Sequence, residues 1–376
     1  MHELVPYHPD RKEQIARLQR HLWSADVGLN AAYFAWKYEE NPFIKAPVLQ
    51  LALSAGRVVG MRGMFGSCWE VGSPARRVLV PCADDFVIEP AHRNHGIGGA
   101  IMRAAVEDGA LSDFEYAFSL SAGPVTMAAS LATRWRAVES MRPARRTSGA
   151  GALVDRMAAR LRTAPVLWRC AVPLVRAHHR GVGGPFWALD RRARGSGGRA
   201  SAAVRVEATP QVEAMADLVA RLGHDGRLRH VRDETYLRWR YRDPLHEYRF
   251  LVQGTDRLGG YLVLQAHRTE PERGVRIVDW EVTTSEVRMD LLRAALEWGR
   301  FPEVIVWAAT LPSETEGPLA ALGFVPTSSG SQLRGVATTM IRPLARAAAG
   351  VDPILEGRRL LDLASWDMRM VYSMAG

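Results

Sequence analysis

The sequence predicts a mixed α/β (α+β) protein made of two copies of one fold in tandem, joined by an Arg-rich helical connector. Three observations predict it. Strand and helix patterns alternate through both halves of the 376-residue chain. Short matches recur in the same order in each half. Between the halves the composition changes: residues 142–199 hold thirteen Arg, no Lys, and only Asp155 and Asp190 as acids, so this segment is +11 against +9 for the whole chain. The expected division is a first domain at 1–145, a connector at 146–200 and a second domain at 201–376.

Composition bounds the function classes. An apolar fraction of 47% and a charged fraction of 24% are those of a globular protein. No run of 18 apolar residues occurs, which argues against a membrane span. The start, MHELVPYHPDRKEQ, has no apolar leader core. Cys68, Cys82 and Cys170 are irregularly spaced and make neither a disulfide framework nor a zinc pattern. His178-His179 has no neighbouring acid or cysteine, so no metal is assigned. A reducing, cytoplasmic location is the expectation.

The elements follow in order. ELVPY reads as a strand, and PDRKEQIARLQRHLW as a helix with Ile15, Leu18 and Leu22 at helical spacing and Asp10 as cap. LNAAYFAWKYEENP is a second helix, stopped at Asn41-Pro42. VLQLALSAGRVVGMRGMF is a hairpin turning at Ala55-Gly56, and RRVLVPCADDFVIEP a long strand ending at Pro90. A glycine-rich turn, a helix to Gly109, the strand EYAFSLS, the helix PVTMAASLATRW and a last strand RAVESM complete the first domain. In the connector, Leu153, Met157 and Leu161, then Leu167, Cys170 and Leu174, fall on helical spacings broken by Pro165 and Pro173. RRARGSGGRASA reads as a flexible linker.

The second domain opens with a strand and a helix, then repeats the first. YFAWKYEENP (33–42) matches YLRWRYRDP (236–244), GRVVG (56–60) matches DRLGG (256–260), and AVEDG (105–109) matches ALEWG (295–299). Three matches in one order argue for duplication. The aromatic pattern Tyr-x-x-Trp-(Lys/Arg)-Tyr is read as a helix face packed on a sheet.

HRNHGIGGAIMRAA (92–105) is the chemistry-bearing stretch. A strand ending FVIEP leads through three glycines into a helix, whose first amides lack internal partners and whose dipole favours an anion. Glycine lets a phosphate approach those amides and permits unusual backbone angles. A Walker loop would end in Gly-Lys-Ser/Thr, and here the helix continues Ala100-Ile101. A dinucleotide turn would place its third Gly or Ala at Ile101. Arg93-x-x-Gly96-x-Gly98 after Val87-Ile88-x-Pro90 resembles instead the coenzyme A motif of the GNAT (Gcn5-related) N-acyltransferase superfamily, as does the element order.

That resemblance implies an acyl-CoA donor, acetyl-CoA or a longer thioester. It implies that the diphosphate sits on Asn94, His95, Gly96, Ile97, Gly98 and Gly99 with Arg93 at the lip. It implies that the pantetheine arm pairs like an added strand with Phe86, Val87 and Ile88. Counted at a 190-residue offset, Gly96, Gly98 and Gly99 correspond to Glu286, Arg288 and Met289, and Arg93 to Thr283. The second copy is therefore expected to bind no CoA and to shape the acceptor cleft.

Acyl transfer to an amine needs a neutral amine, a stabilised oxyanion and a route for the leaving thiolate. Asp84 and Asp85 are the acids nearest the expected thioester, and strand alternation points them to opposite faces. One is the candidate base. The family's thiol-protonating Tyr position falls on Ser130, and its Gly-Phe pair is Arg134-Trp135 here, so Ser130, water or unassisted departure remain open. Cys82 as an acyl carrier is set against its more ordinary role as a buried strand cysteine.

The expected reaction is direct transfer from acyl-CoA to a primary amine of a small molecule. The rivals are a non-catalytic acyl-CoA-binding or scaffold protein and a transferase using acyl-carrier protein or aminoacyl-tRNA. The Arg-rich segment 142–199 suits an acidic carrier protein or an anionic surface, and nucleic acid is not expected.

Overall fold

The computed structural model describes residues 2–148, 203–270, 274–326, 337–347 and 352–374, with scattered positions between 157 and 189. Most of the Arg-rich connector, with the helical pattern expected for it, lies outside the described residues.

The first half forms β1 (Glu3–Pro6), α1 (Lys12–Leu18), α2 (Val27–Phe34), β2 (Val48–Ser54), β3 (Arg57–Val71), β4 (Arg76–Ile88), α3 (Ile97–Val106), β5 (Tyr116–Ala122), α4 (Pro124–Ala132), β6 (Arg136–Ser140) and β7 (Pro143–Thr147). Asp26 caps α2 by accepting from the Leu29 amide at 3.0 Å. The chain past α2 continues as a π-helical turn over Ala35–Glu39. Ala55 and Gly56 both take positive φ and close the β2–β3 hairpin where its turn was expected.

The second half forms β8 (Val204–Glu207), α5 (Val212–Leu222), β9 (Arg229–His230), α6 (Glu234–Arg240), β10 (His246–Gln253), β11 (Gly260–His267), β12 (Val275–Val282), α7 (Ser285–Gly299), β13 (Glu303–Trp307), α8 (Glu316–Ala321), β14 (Val325–Pro326) and β15 (Thr338–Pro343). The repeat is thus an architectural one.

The two sheets exchange a strand. The first runs β1-β2-β3-β4-β5-β15-β6, and the second β14-β7-β13-β12-β11-β10-β8. β15, from the second half, fills the place between β5 and β6. β7, from the first half, fills the same place between β13 and β14. RAVESM, expected as the last strand, is the edge of the first sheet, and the sheets cross the expected limits at 145 and 201. β9 adds a further tie by pairing with Trp69 and Glu70 of β3.

α1 and α2 pack on one face of the first sheet through Ile15, Leu18, Tyr33 and Phe34. On the other face, Ile97 and Ile101 of α3 pack on Ala52 and Val59. One core joins the halves, running from Trp69 through Tyr236 and Tyr261 to Trp366 and Tyr372 near the C-terminus. The repeated tryptophans meet there. Trp36 and Trp239 stack with centroids 4.8 Å apart, and each indole N–H donates to the other's backbone carbonyl, at 2.8 and 2.9 Å.

Candidate active site

β4 carries a bulge where the chemistry was expected. Met61 faces Val87 and Gly63 faces Asp84, so Asp85 and Phe86 together oppose Arg62. Asp85 adopts φ +50°, in the left-handed region. The bulge corrects the expectation from alternation: both carboxylates point to the α2 face. There they share the Lys37 ammonium, with Nζ 2.6 Å from Asp84 Oδ2 and 2.9 Å from Asp85 Oδ1.

The two acids have different surroundings. Asp85 is buried and also accepts from Gln19 Nε2 at 3.0 Å, Trp23 Nε1 at 2.9 Å and the Tyr38 hydroxyl at 3.0 Å. Burial pushes its pKa up, and the Lys37 charge opposes that rise. The Asp84 side chain is 17% exposed, so it is the member of this cluster that solvent reaches. Lys37 is fully buried, with Trp23, Tyr33, Tyr38 and Phe65 ring centroids 5.1–5.7 Å from Nζ. Gly63 makes this packing fit: a Cβ there would stand 2.2 Å from the Tyr38 hydroxyl oxygen.

Lys37, Tyr38, Gln19 and Trp23 were not singled out from sequence as site residues. The available signal was the basic position shared by the two aromatic repeats, Lys37 and Arg240. It was read as packing, and Tyr33, Trp36 and Tyr38 do pack in the core. The lysine between them also holds both acids.

The glycine loop spans the eight residues between β4 and α3. Gly96 is the N-cap of α3 at φ +76°, and no side chain caps the helix. The amides of Ile97, Gly98 and Gly99 open the first turn, where no helix carbonyl precedes them. A Cβ on Gly98 would sit 3.2 Å from the Phe86 ring, so a side chain would fill the space beside the loop. Arg93 donates from Nε to the Ile88 carbonyl at 3.1 Å, and Asn94 and His95 are exposed. The donor set is therefore backbone amides plus one guanidinium, which suits a diphosphate. β4 and β5 are paired at Cys82 and Phe118, and among the described residues no pair follows beyond that point. Phe86, Val87 and Ile88 thus keep one backbone edge unpaired by β5, as an extended ligand arm requires.

Two other expected residues lie apart. Ser130 is fully buried, and among the described residues nothing hydrogen-bonds its Oγ. Cys82 is buried, with Sγ 3.1 Å from Ser67 Oγ, and burial pushes its thiol up to about 12. It is kept protonated and is a poor nucleophile. Among the described residues no three His, Cys, Asp or Glu gather to hold a metal.

No protein-family profile matches the sequence, and no curated protein matches it significantly. Solved structures do. A tandem GNAT protein from the clavulanic acid biosynthesis pathway superposes with a TM-score of 0.53 at 15% identity, over 91% of this chain and 98% of that one. A probable N-acyltransferase from Enterococcus faecalis gives 0.55 at 9% identity, over 92% and 73%. A GCN5-related N-acetyltransferase from Anabaena variabilis gives 0.52 at 14% identity, over 91% and 73%. This chain carries two GNAT folds in tandem. At such identities the likeness concerns architecture, and the chemistry must be argued from the residues.

The two GNAT copies differ most at the loop. Between β12 and α7 only Thr283 and Thr284 intervene, against eight residues in the first copy. Thr284 caps α7 by accepting from the Val287 amide at 3.3 Å. The caps therefore pair Gly96 with Thr284, and Glu286 stands against Gly98, two places from the correspondence expected at a fixed offset. Asp279 takes the part of Asp85, since Tyr241 repeats Tyr38. It is held by Arg232 Nη1 and the Tyr261 hydroxyl, both at 2.8 Å, and is fully buried.

A cavity of about 620 Å³ opens between α1 and the β2–β3 hairpin, lined by Gln14, Arg17, His21, Arg57, Val58 and Glu89 among others. None of the Lys37–Asp84–Asp85 cluster lines it, so it lies apart from the acid pair. Among the described residues no helix is long and apolar enough to cross a membrane.

Proposed function

We propose that this chain is an N-acyltransferase taking its acyl group from a CoA thioester bound in the first GNAT copy. A CoA thioester supplies an activated carbonyl with a thiolate leaving group. The amides of Ile97, Gly98 and Gly99, with Asn94 to Gly96 before them, hold its diphosphate, and Arg93 adds a cation. The free edge of Phe86–Ile88 holds the pantetheine arm and points the thioester at the bulge. The acceptor is a primary amine of a small molecule.

Asp84 is the base. It is the carboxylate of the bulge that solvent reaches, and it takes the proton from the incoming ammonium directly or through a water. Lys37 fixes its orientation by bonding one oxygen. Asp85 anchors Lys37 from behind, tied in turn by Gln19, Trp23 and Tyr38. No nucleophile of the protein is needed, because holding donor and amine together supplies much of the rate. With Ser130 sealed in the core, the thiolate leaves unaided or takes its proton from water.

The observation supporting this reading most is the conjunction on β4: an acid pair at a bulge, then an unpaired edge, then an uncapped glycine-led helix. The second copy has no such loop, and its acids Asp279 and Glu281 are both held by Arg232, so it serves to wall the acceptor side. The test is acceptor-dependent release of free thiol from acetyl-CoA across an amine panel. Release that disappears in Asp84→Asn supports the reading. CoA binding with no amine-dependent release in the wild type sinks it, and points to an acyl-CoA-binding protein.

A further inference from the structure

Arg62 is a buried charge with no carboxylate bonded to it. It is 2% exposed, and among the described residues its side chain makes no hydrogen bond or ion pair, its guanidinium standing over the Phe86 ring. Its Nη2 is sealed from solvent and unpartnered. Arg232 and Arg240, similarly buried, each have a carboxylate at 2.8 and 3.2 Å. A buried cation left unpaired is costly, and an arginine stays charged at any working pH.

The bulge accounts for its position. On the α3 face of β4, Ala83 packs with Met64 and Ala105, and Phe86 packs with Ile97 and Ile101. Asp84 and Asp85, between them in sequence, both turn to the opposite face. Arg62 stands opposite this gap on β3, and its guanidinium carbon lies 5.8 Å from the Phe86 ring centroid. The side chain therefore leans over β4, toward the side where β4 and β5 part. The nearby acids are engaged elsewhere. Asp84 and Asp85 hold Lys37, and Asp108 accepts from Gln50, the cross-strand neighbour of Arg62, at 2.8 Å. Burial pulls the Arg62 pKa down from its ordinary value, with Asp84, Tyr38 and Asp85 opposing.

We propose that Arg62 receives a carboxylate at the far end of the acyl group, so that the preferred donor is the CoA thioester of a short dicarboxylic acid. This rests on the CoA reading above. With the diphosphate on the loop and the arm running back along Phe86–Ile88, the acyl end arrives at the bulge beside Arg62. An acetyl group brings no charge to that guanidinium. A terminal carboxylate pairs with it, and two N–H groups can bond two oxygens.

Calorimetric titration of the whole chain tests this without relying on turnover. The probes are free CoA and two pairs matched in carbon number: malonyl-CoA with propionyl-CoA, and succinyl-CoA with butyryl-CoA. The wild type is expected to bind the acidic member of at least one pair at least about tenfold more tightly than the neutral one. Arg62→Met is expected to erase that preference while raising the melting temperature, because it removes an unpaired buried charge. Arg62→Lys is expected to keep part of the preference. Equal binding within both pairs by the wild type, with free CoA bound, overturns the inference and leaves the CoA reading standing. Failure of every thioester and of free CoA to bind removes both. An Arg62→Met protein that is less stable and keeps the preference also overturns it, since the arginine would then serve packing alone.

Discussion

Asp84 and Asp85 are adjacent, identical in type and bonded to one lysine, yet only Asp84 meets solvent. Asp85 is enclosed and accepts four hydrogen bonds, which makes it a fixed counter-charge. Asp84 keeps an open side. Asp84→Asn should lower turnover by about 10²-fold or more while CoA affinity stays within a factor of two, which titration calorimetry and steady-state rates measure together. Unchanged turnover would remove Asp84 as the base. Gly63 is a second lever at this scale. Gly63→Ala would push the Tyr38 hydroxyl off Asp85 and should cost about 1–3 kcal/mol in urea unfolding. From sequence, the acids were legible because they precede the expected pantetheine strand. Their shared face was not, because a bulge is set by how β3 and β4 pair and leaves no fixed signature in either strand.

The element that distinguishes the two copies is the strand-to-helix connection. Eight residues ending in a left-handed glycine leave amides open in the first, while in the second two threonines intervene and Thr284 caps the helix. Gly98→Glu would place in the first copy the side chain that the second copy carries at the equivalent helix position. A carboxylate among those amides should weaken CoA binding by at least about tenfold. The melting temperature should fall modestly, because a Cβ at 98 presses on the Phe86 ring at 3.2 Å. Retention of wild-type affinity would mean that the diphosphate sits elsewhere. The glycine turn was legible because it is local: the residues proposed to bind also set the backbone. The shortened second loop was harder to see, since a fixed offset of 190 residues hides a deletion, and only the caps of α3 and α7 reveal it.

At the scale of the whole molecule, the exchange of β7 and β15 and the Trp36–Trp239 contact make one folding unit of two copies. Sequence shows that the copies exist. Strand exchange is invisible to it, because β7 and β15 have the same local pattern whichever sheet they join. His230 lies at the junction, where β9 of the second half joins β3. It accepts from the Cys68 amide at Nε2, 3.3 Å away, and its Nδ1 donates to the Val231 carbonyl at 2.7 Å. Burial pushes it down to about 3. The unfolded chain protonates it near 6.5 and the folded one does not, so its contribution is complete above that value and is lost as the pH falls toward about 3. On the order of 2 kcal/mol should go between pH 6.5 and 5, read as a lower urea midpoint in a single transition for both halves. His230→Gln should flatten that dependence. An unchanged midpoint, or two separate transitions, would contradict the shared junction.

In the proposed function one copy is loaded and the other empty. Calorimetric titration of the wild-type chain with CoA measures this directly. One molecule bound per chain, lost in Gly98→Glu, is the predicted result. Two molecules per chain, or one that survives that substitution, would contradict it.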